Sequence, residues 1–193
     1  MCYGKKYEYN IEPLESYKVI RNCSGCGGKS LYKNTNNFRV NANGNKIDIW
    51  LIYQCEECKH TFNLTVYKRV KPSEIEIDLY DKFLKNDLSL SKKYGLDKTL
   101  FSRNRVMIDD ANICYKITPM SVNIVLNEEE EILQFKEGNI IVINNPYGLK
   151  VRIERIIADI LKLSRMTVQR MEKSGKIVIE SGNLNWRVKI YTI

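Results

Sequence analysis

Hydrophobic and polar positions alternate along two stretches in the first third of the chain. In "KIDIWLIYQC", residues 46–55, alternate positions carry one apolar set: Ile47, Ile49, Leu51 and Tyr53. In "HTFNLTVYKR", residues 60–69, a second set is in phase: Phe62, Leu64 and Val66. A period of two residues places such a set on one face of a strand. The pattern therefore predicts two strands, each with one buried face.

The period changes to that of a helix near the C-terminus. Five apolar residues fall at i, i+3, i+4, i+7 and i+8: Ile153, Ile156, Ile157, Ile160 and Leu161. Ser164 is a natural N-cap for a second helix, and Leu163 with Val168 fits a hydrophobic staple. Gly175 would end that helix, and "KIVIE" would begin a strand. The sequence thus predicts a helix pair followed by a strand.

Residues 72–150 predict a mixed region. Helical spacing covers 72–87, and a second helix is predicted over 88–105. Strand-like runs follow at 113–118, 122–126 and 131–144. We therefore predict an α+β protein with three segments: 1–71, a zinc ribbon with an N-terminal strand; 72–150, a connecting region of helices then strands; and 151–193, a helix pair with strands.

Four of the six cysteines form two Cys-x-x-Cys pairs, Cys23 with Cys26 and Cys55 with Cys58. Each pair on a tight turn directs two thiolates at one ion, and two such turns complete a tetrahedron. The spacing predicts a structural Zn²⁺ site of the zinc-ribbon kind. Four thiolates fill the coordination sphere, so no position stays open for water or substrate. His60, the single histidine, is interpreted as a surface neighbour of this site.

Charge and motifs bear on the function. The chain carries 31 lysines and arginines against 23 acids, with the basic excess at residues 17–71 and 151–193. Basic surfaces attract phosphates.

No catalytic residue is identified, since the sequence shows no nucleophile–base set and no phosphate-binding loop. A non-catalytic role is therefore favoured, and an enzyme stays an open alternative. No apolar run approaches the roughly 20 residues of a membrane span, so a cytoplasmic protein without membrane contact is expected.

The C-terminal segment resembles the S-four-type RNA-binding domain. The resemblance rests on Arg152, on the Ser164-Arg165 pair and on Gly175-Lys176-Ile177. The glycine often found before the Ser-Arg turn is replaced by Lys162, and the family's hairpin is only loosely echoed in "VIESG". The resemblance implies RNA contacts through the helix pair. The candidate nucleic-acid-binding residues are Arg152, Arg165, Gln169, Arg170, Lys173 and Lys176.

A rival resemblance concerns residues 158–177, which are similar to the helix-turn-helix of excisionase-like and mercury-regulator-like DNA-binding proteins. That resemblance implies a DNA-binding transcriptional regulator in which Arg165, Thr167, Gln169 and Arg170 meet base edges. A third alternative is an enzyme, or a protein-interaction module, with an unrecognised site. RNA is favoured over DNA, because the strand and long tail after the helix pair suit a small RNA-binding unit.

Most of the chain also resembles a bacterial family of uncharacterised proteins. The residues that carry this resemblance are "CSGC" at 23–26, "NFRVNANGNKIDIWLIYQCEEC" at 37–58 and "FNLTVYKR" at 62–69. It implies the zinc ribbon and no activity. We therefore expect a factor that binds structured RNA, ribosomal or transfer, with its oligomeric state open. Further contacts are expected from Lys29, Lys33, Arg39, Lys68 and Arg69, with Tyr32, Phe38 or Trp50 as stacking candidates, although core packing is the favoured interpretation of Trp50.

Overall fold

The computed structural model describes residues 5–120 and 137–191, which form ten strands and five α-helices. The predicted α+β class is confirmed. The strands are β1 (Lys6–Pro13), β2 (Lys18–Cys23), β3 (Gly28–Asn43), β4 (Lys46–Cys55), β5 (Thr61–Val70), β6 (Met107–Asp109), β7 (Tyr115–Pro119), β8 (Ile140–Asn144), β9 (Ile177–Ser181) and β10 (Asn185–Ile190). The helices are α1 (Ile77–Leu84), α2 (Leu88–Gly95), α3 (Lys98–Arg103), α4 (Ile153–Leu161) and α5 (Arg165–Lys173).

The chain divides into two compact units. One comprises Glu15–Ile113 and is called here the cysteine unit. The other comprises Met1–Leu14 with Cys114–Ile193 and is called the helix-pair unit. The boundaries of these two units differ from those of the three predicted segments. The division into three segments stays a prediction. The N-terminal strand β1, expected beside the ribbon, pairs instead with β7 and β8.

The cysteine unit contains an antiparallel sheet in the order β5-β4-β3-β2-β6. The predicted strands over 46–55 and 60–69 are confirmed as β4 and β5. The alternating residues of β4 are buried as the pattern required: Ile47, Ile49, Leu51 and Tyr53. Helices α1 and α2 contact β3, and α3 contacts β5. The core of this unit therefore lies between one face of the sheet and three short helices.

The helices of this unit differ from the prediction. The first begins at Ile77, after a 3₁₀ turn over Pro72–Glu74, and Ile77 itself is 86% exposed instead of packed. The predicted helix over 88–105 is divided into α2 and α3. The Asp97 carboxylate accepts hydrogen bonds from the amides of Thr99 and Leu100, so it starts a new helix where one continuous helix was expected.

The helix-pair unit is built on a second sheet, in the order β7-β1-β8-β10-β9. Strands β1 and β8 are parallel, and the other neighbours are antiparallel. The predicted helix pair is confirmed as α4 and α5. Ser164 caps α5 by accepting a 3.1 Å hydrogen bond from the Thr167 amide, and Gly175 adopts a φ of 73° after the helix. Val168 and Ile177 are fully buried, so both elements pack into one core.

Two predictions fall outside the described residues, namely the strand at 122–126 and the first part of the run at 131–144. Its second part is confirmed as β8, and the run at 113–118 is confirmed as β7. None of the helices in the described part of the chain is both long and apolar enough to cross a membrane.

Candidate metal centre

The sulfur atoms of Cys23, Cys26, Cys55 and Cys58 lie within 4.8 Å of one another. The Cys23 and Cys58 sulfurs are 3.3 Å apart, and those of Cys26 and Cys55 are 3.8 Å apart. A tetrahedral ion with metal–sulfur bonds of about 2.3 Å requires sulfur–sulfur distances of about 3.8 Å. The predicted residues are therefore brought together at distances that suit one tetrahedral ion.

Two similar turns supply the sulfurs. Strand β2 ends at Cys23 before the first turn, and β4 ends at Cys55 before the second. In each turn the residue after the second cysteine has a left-handed backbone, with φ of 73° at Gly27 and 65° at Lys59. Its amide donates to the carbonyl of the first cysteine, over 2.9 Å at Gly27 and 3.2 Å at Lys59. The two knuckles are thus close copies, although a glycine marks only the first.

Hydrogen bonds to the sulfurs favour thiolates. The Tyr32 hydroxyl donates to Cys23. Together with the Cys58 thiol and the amides of Cys26 and Gly25, it outweighs burial and lowers the pKa of Cys23 to about 6. Burial raises the pKa of Tyr32 well above its ordinary value, which keeps this hydroxyl protonated as a donor. The amides of Cys58 and Glu57 likewise lower the pKa of Cys55. These donors stabilise negative charge that a bound cation would also neutralise.

Cys58 behaves differently. The His60 amide lowers the pKa of Cys58, but the sulfurs of Cys23, Cys26 and Cys55 outweigh that donor and raise it to about 12. Without a cation, four thiolates in contact repel one another, so the cluster retains protons between them. A divalent ion would replace these protons, as expected for a metal site made of thiolates.

The cluster is closely packed on one side and open to solvent on the other. Gly25 lies so close to Cys58 that an added Cβ would stand 2.8 Å from its sulfur. Cys23 and Cys55 are buried, whereas Cys26 and Cys58 are exposed, so one side of the site faces solvent. The His60 ring lies 3.3 Å from the Ser24 hydroxyl and is not one of the clustered ligands. Its interpretation as a neighbour of the site agrees with this arrangement.

The candidate nucleic-acid residues lie on and beside α5. Arg165, Gln169 and Lys173 are spaced four residues apart, which puts them on one face of the helix. Arg152 immediately precedes α4, and Lys176 lies between α5 and β9. All are exposed except Gln169, which is half-buried. Within residues 5–120 and 137–191, none of the five cations forms an ion pair.

One apolar residue on α5 was missed by sequence reasoning. Met166 is 67% exposed beside Arg165. The sequence could have predicted this exposure, because Met166 falls outside the stripe that contains Val168 and Met171, the two buried residues of this helix. An apolar side chain among cations gives this surface both charge and contact area.

The proposed stacking residues need correction. Tyr32 is 1% exposed and Phe38 is 9% exposed, because both belong to the core of the cysteine unit and neither presents a ring to a base. Trp50 is half-buried and stands opposite the exposed Arg39 across β3 and β4. The other cations expected to extend the contact surface are exposed: Lys29, Lys33, Lys68 and Arg69.

The fold and the cluster define an α+β protein with a candidate metal centre held by two β-knuckles. The chain belongs to a family described as "Protein of unknown function (DUF1062)", whose sequence model matches residues 40–183. That match confirms the resemblance to an uncharacterised family. It includes the knuckle at Cys55 and Cys58, and the one at Cys23 and Cys26 precedes it. No curated protein and no solved structure matches the chain.

Proposed function

We propose that the protein is a non-catalytic factor that binds structured RNA through the basic surface of α5. The observation that carries this proposal is the set of exposed cations on and beside the helix without acidic partners in the described residues. Arginine and lysine side chains in this state keep their donors available for phosphate oxygens. The S-four-type resemblance of residues 151–193 supports RNA as the ligand.

The local charge also favours phosphate binding. Helix α5 carries Arg165, Arg170 and Lys173 against a single acid, Glu172. Each phosphate that such a cation neutralises releases condensed counterions, which makes binding fall with salt by a slope of roughly −0.7 per contact on single strands and −0.9 on duplex DNA. Binding through this surface should therefore be strongly salt-dependent.

DNA is the second candidate ligand. Helix α5 follows α4 after a tight turn in which Lys162 adopts a φ of 56°, as in a helix-turn-helix. Gln169 and Arg170 are residue types that read adenine and guanine edges in a major groove. A regulator of this kind would prefer a duplex of defined sequence, whereas the RNA-binding protein would prefer a folded RNA over a duplex DNA.

Zinc is the ion proposed for the cysteine cluster. A tetrahedral set of four sulfurs suits Zn²⁺ or an iron–sulfur centre, and paired Cys-x-x-Cys turns on β-strands are typical of structural zinc. Four protein ligands leave no site for substrate. The ion would therefore hold the two knuckles together, with no part in chemistry. Elemental analysis of the purified protein identifies it directly.

The test compares two charge reversals in a salt-titrated binding assay. Arg165→Glu/Lys173→Glu should lower affinity for transfer RNA by at least about tenfold and reduce the salt slope by about 1 to 2. The matched control is Arg187→Glu in the same unit, an exposed residue on β10 that lies away from α5 in sequence. It should change affinity less than about threefold. Unchanged affinity and slope in the double variant would reject the proposal, and tighter binding to duplex DNA would favour the regulator.

A further inference from the structure

A cleft of about 330 Å³ opens in the cysteine unit. Two arginines, two asparagines and four apolar residues line it: Arg21, Arg105, Asn22, Asn104, Ile20, Phe62, Val106 and Met107. These residues come from β2, β5, the segment that joins α3 to β6, and the first residue of β6. The volume is at the lower end of the roughly 300–1,000 Å³ that small-ligand sites occupy. It suits a single small ligand, not an extended chain.

The lining is positively charged and contains no acid. The guanidinium carbon of Arg21 stands 3.9 Å from the centre of the Phe62 ring and 5.7 Å from that of Tyr32. Stacking fixes the guanidinium plane, while the N–H groups at its edge remain able to donate. Within the described part of the chain, neither arginine of the cleft forms an ion pair.

Arg105 adopts a left-handed backbone at the end of α3, as Lys162 does at the end of α4. It has a φ of 54° in the turn that ends α3, where its amide donates to Ser102 and the next amide, of Val106, donates to Phe101. A left-handed conformation costs a residue other than glycine roughly 1 kcal/mol. The two hydrogen bonds form a Schellman C-cap, a common way for a helix to end. This turn places Arg105 in the lining of the cleft as its second cation.

We propose that this cleft binds a nucleoside 5′-monophosphate group, with its phosphate on Arg21 and Arg105. Two guanidinium groups match the dianion of a terminal phosphate better than the single charge of an internal diester. Ile20, Val106 and Met107, the last 61% exposed, provide apolar contact for the base. A free nucleotide and the 5′-phosphorylated end of an RNA chain present the same group. The site lies in the cysteine unit and does not rest on α5.

Calorimetric titration of the full chain with adenosine 5′-monophosphate, adenosine and inorganic phosphate tests this assignment. The nucleotide should bind at least about tenfold more tightly than either part alone, because each part makes only some of the contacts. Binding of phosphate alone as tightly as the nucleotide would overturn the assignment, and so would no nucleotide binding at millimolar concentration.

Two variants separate binding from folding. Arg105→Gly relieves the left-handed strain, so it should leave the melting temperature unchanged or higher and weaken nucleotide binding at least about tenfold. Arg21→Met keeps an apolar chain on Phe62 and should weaken binding similarly. Arg155→Gln, an exposed arginine on α4 outside the cleft, is the matched control and should bind as the native chain does. Native-like nucleotide binding by both cleft variants would overturn the proposal.

A pair of short RNAs shows whether the 5′-monophosphate group comes from a free nucleotide or from the end of an RNA chain. Tenfold tighter binding of the 5′-phosphorylated RNA than of its 5′-hydroxyl counterpart, lost in Arg105→Gly, would identify the chain end as the ligand. Equal binding of the two RNAs, together with binding of free nucleotide, would identify the free nucleotide. The Arg165→Glu/Lys173→Glu variant should retain nucleotide binding, so failure of the α5 surface and failure of the cleft give different results.

Discussion

The two units have similar architectures, but among the described residues only the cysteine unit contains a cluster of possible metal ligands. Each contains a five-stranded sheet with helices and a buried apolar row. In the helix-pair unit the row consists of residues from β8, β10, α4 and α5, and hydrophobic burial is its main source of stability. The cysteine unit has a similar core and, in addition, four clustered sulfurs that could hold an ion at the turns that follow β2 and β4.

This difference indicates which part of the molecule a bound metal ion should stabilise. Residues of the cysteine unit far from the knuckles, such as Leu51 and Leu100, are already buried by apolar neighbours. A bound ion therefore adds stability at one end of a sheet that has its own core, unlike the small zinc domains that are unfolded without metal. The helix-pair unit should be indifferent to the ion.

The largest effect is expected from Cys55→Ser. Loss of one thiolate should abolish tight metal binding and destabilise the cysteine unit by about 3–5 kcal/mol or more, because the ion's binding energy is part of the folding energy. Metal content by elemental analysis and amide hydrogen exchange resolved by unit would measure this. Cys114→Ser, an exposed cysteine of the helix-pair unit, is the matched control. Retained metal and native exchange in Cys55→Ser would contradict the proposed role of the cluster.

A core change in the other unit should give the reverse pattern. Ile157 on α4 is fully buried, and Ile157→Ala should cost about 2–5 kcal/mol through lost burial and the resulting cavity. We expect a lower melting transition with unchanged metal content, measured by calorimetry and elemental analysis. Met166→Ala on the exposed side of α5 should change stability by less than about 0.5 kcal/mol. Metal loss in Ile157→Ala would show that the units depend on each other.

Local patterns predicted several parts of this contrast. The alternation in β4 identified its buried face, and the apolar stripe with the Ser164 cap located α4 and α5. The four cysteines could be assigned to one site because their spacing alone constrains the ligand geometry. These features depend on neighbours within a few residues, so the sequence contains the information directly.

Features that depend on distant contacts were not predicted. Strand β1 pairs with β8, more than 130 positions later, and nothing in its own sequence specifies that partner. Tyr32 and Phe38 look like available aromatic rings in the sequence, yet the sheet and its helices bury them. The cleft around Arg21 was missed for the same reason, since its lining comes from three separate segments.

A smaller effect is expected at the start of α5. Ser164→Ala removes the side-chain acceptor of the Thr167 amide and should cost about 1 kcal/mol. Chemical denaturation of the helix-pair unit would measure it. Ser164→Asp retains an acceptor and places a negative charge at the helix N-terminus, so its stability should equal that of the native chain within about 0.5 kcal/mol. Equal losses in both variants would show that the serine hydroxyl contributes something other than the cap.

The smallest effect tests whether the two knuckles are equivalent. Lys59 adopts the left-handed conformation that Gly27 adopts in the first knuckle, with φ of 65° and 73°. Lys59→Gly should stabilise the metal-bound cysteine unit by about 0.5 kcal/mol, because relief of strain exceeds the added entropy of the unfolded glycine. The ammonium of Lys59 also donates to the Glu56 carbonyl over 2.6 Å, but this exposed bond should contribute little.

The reciprocal change, Gly27→Lys, should cost about 1 kcal/mol. Denaturant titration of both zinc-loaded variants checks the pair. A loss of stability in Lys59→Gly would mean that contacts of the lysine side chain hold the second turn in its conformation. No loss in Gly27→Lys would mean that the first turn accepts a left-handed lysine without strain.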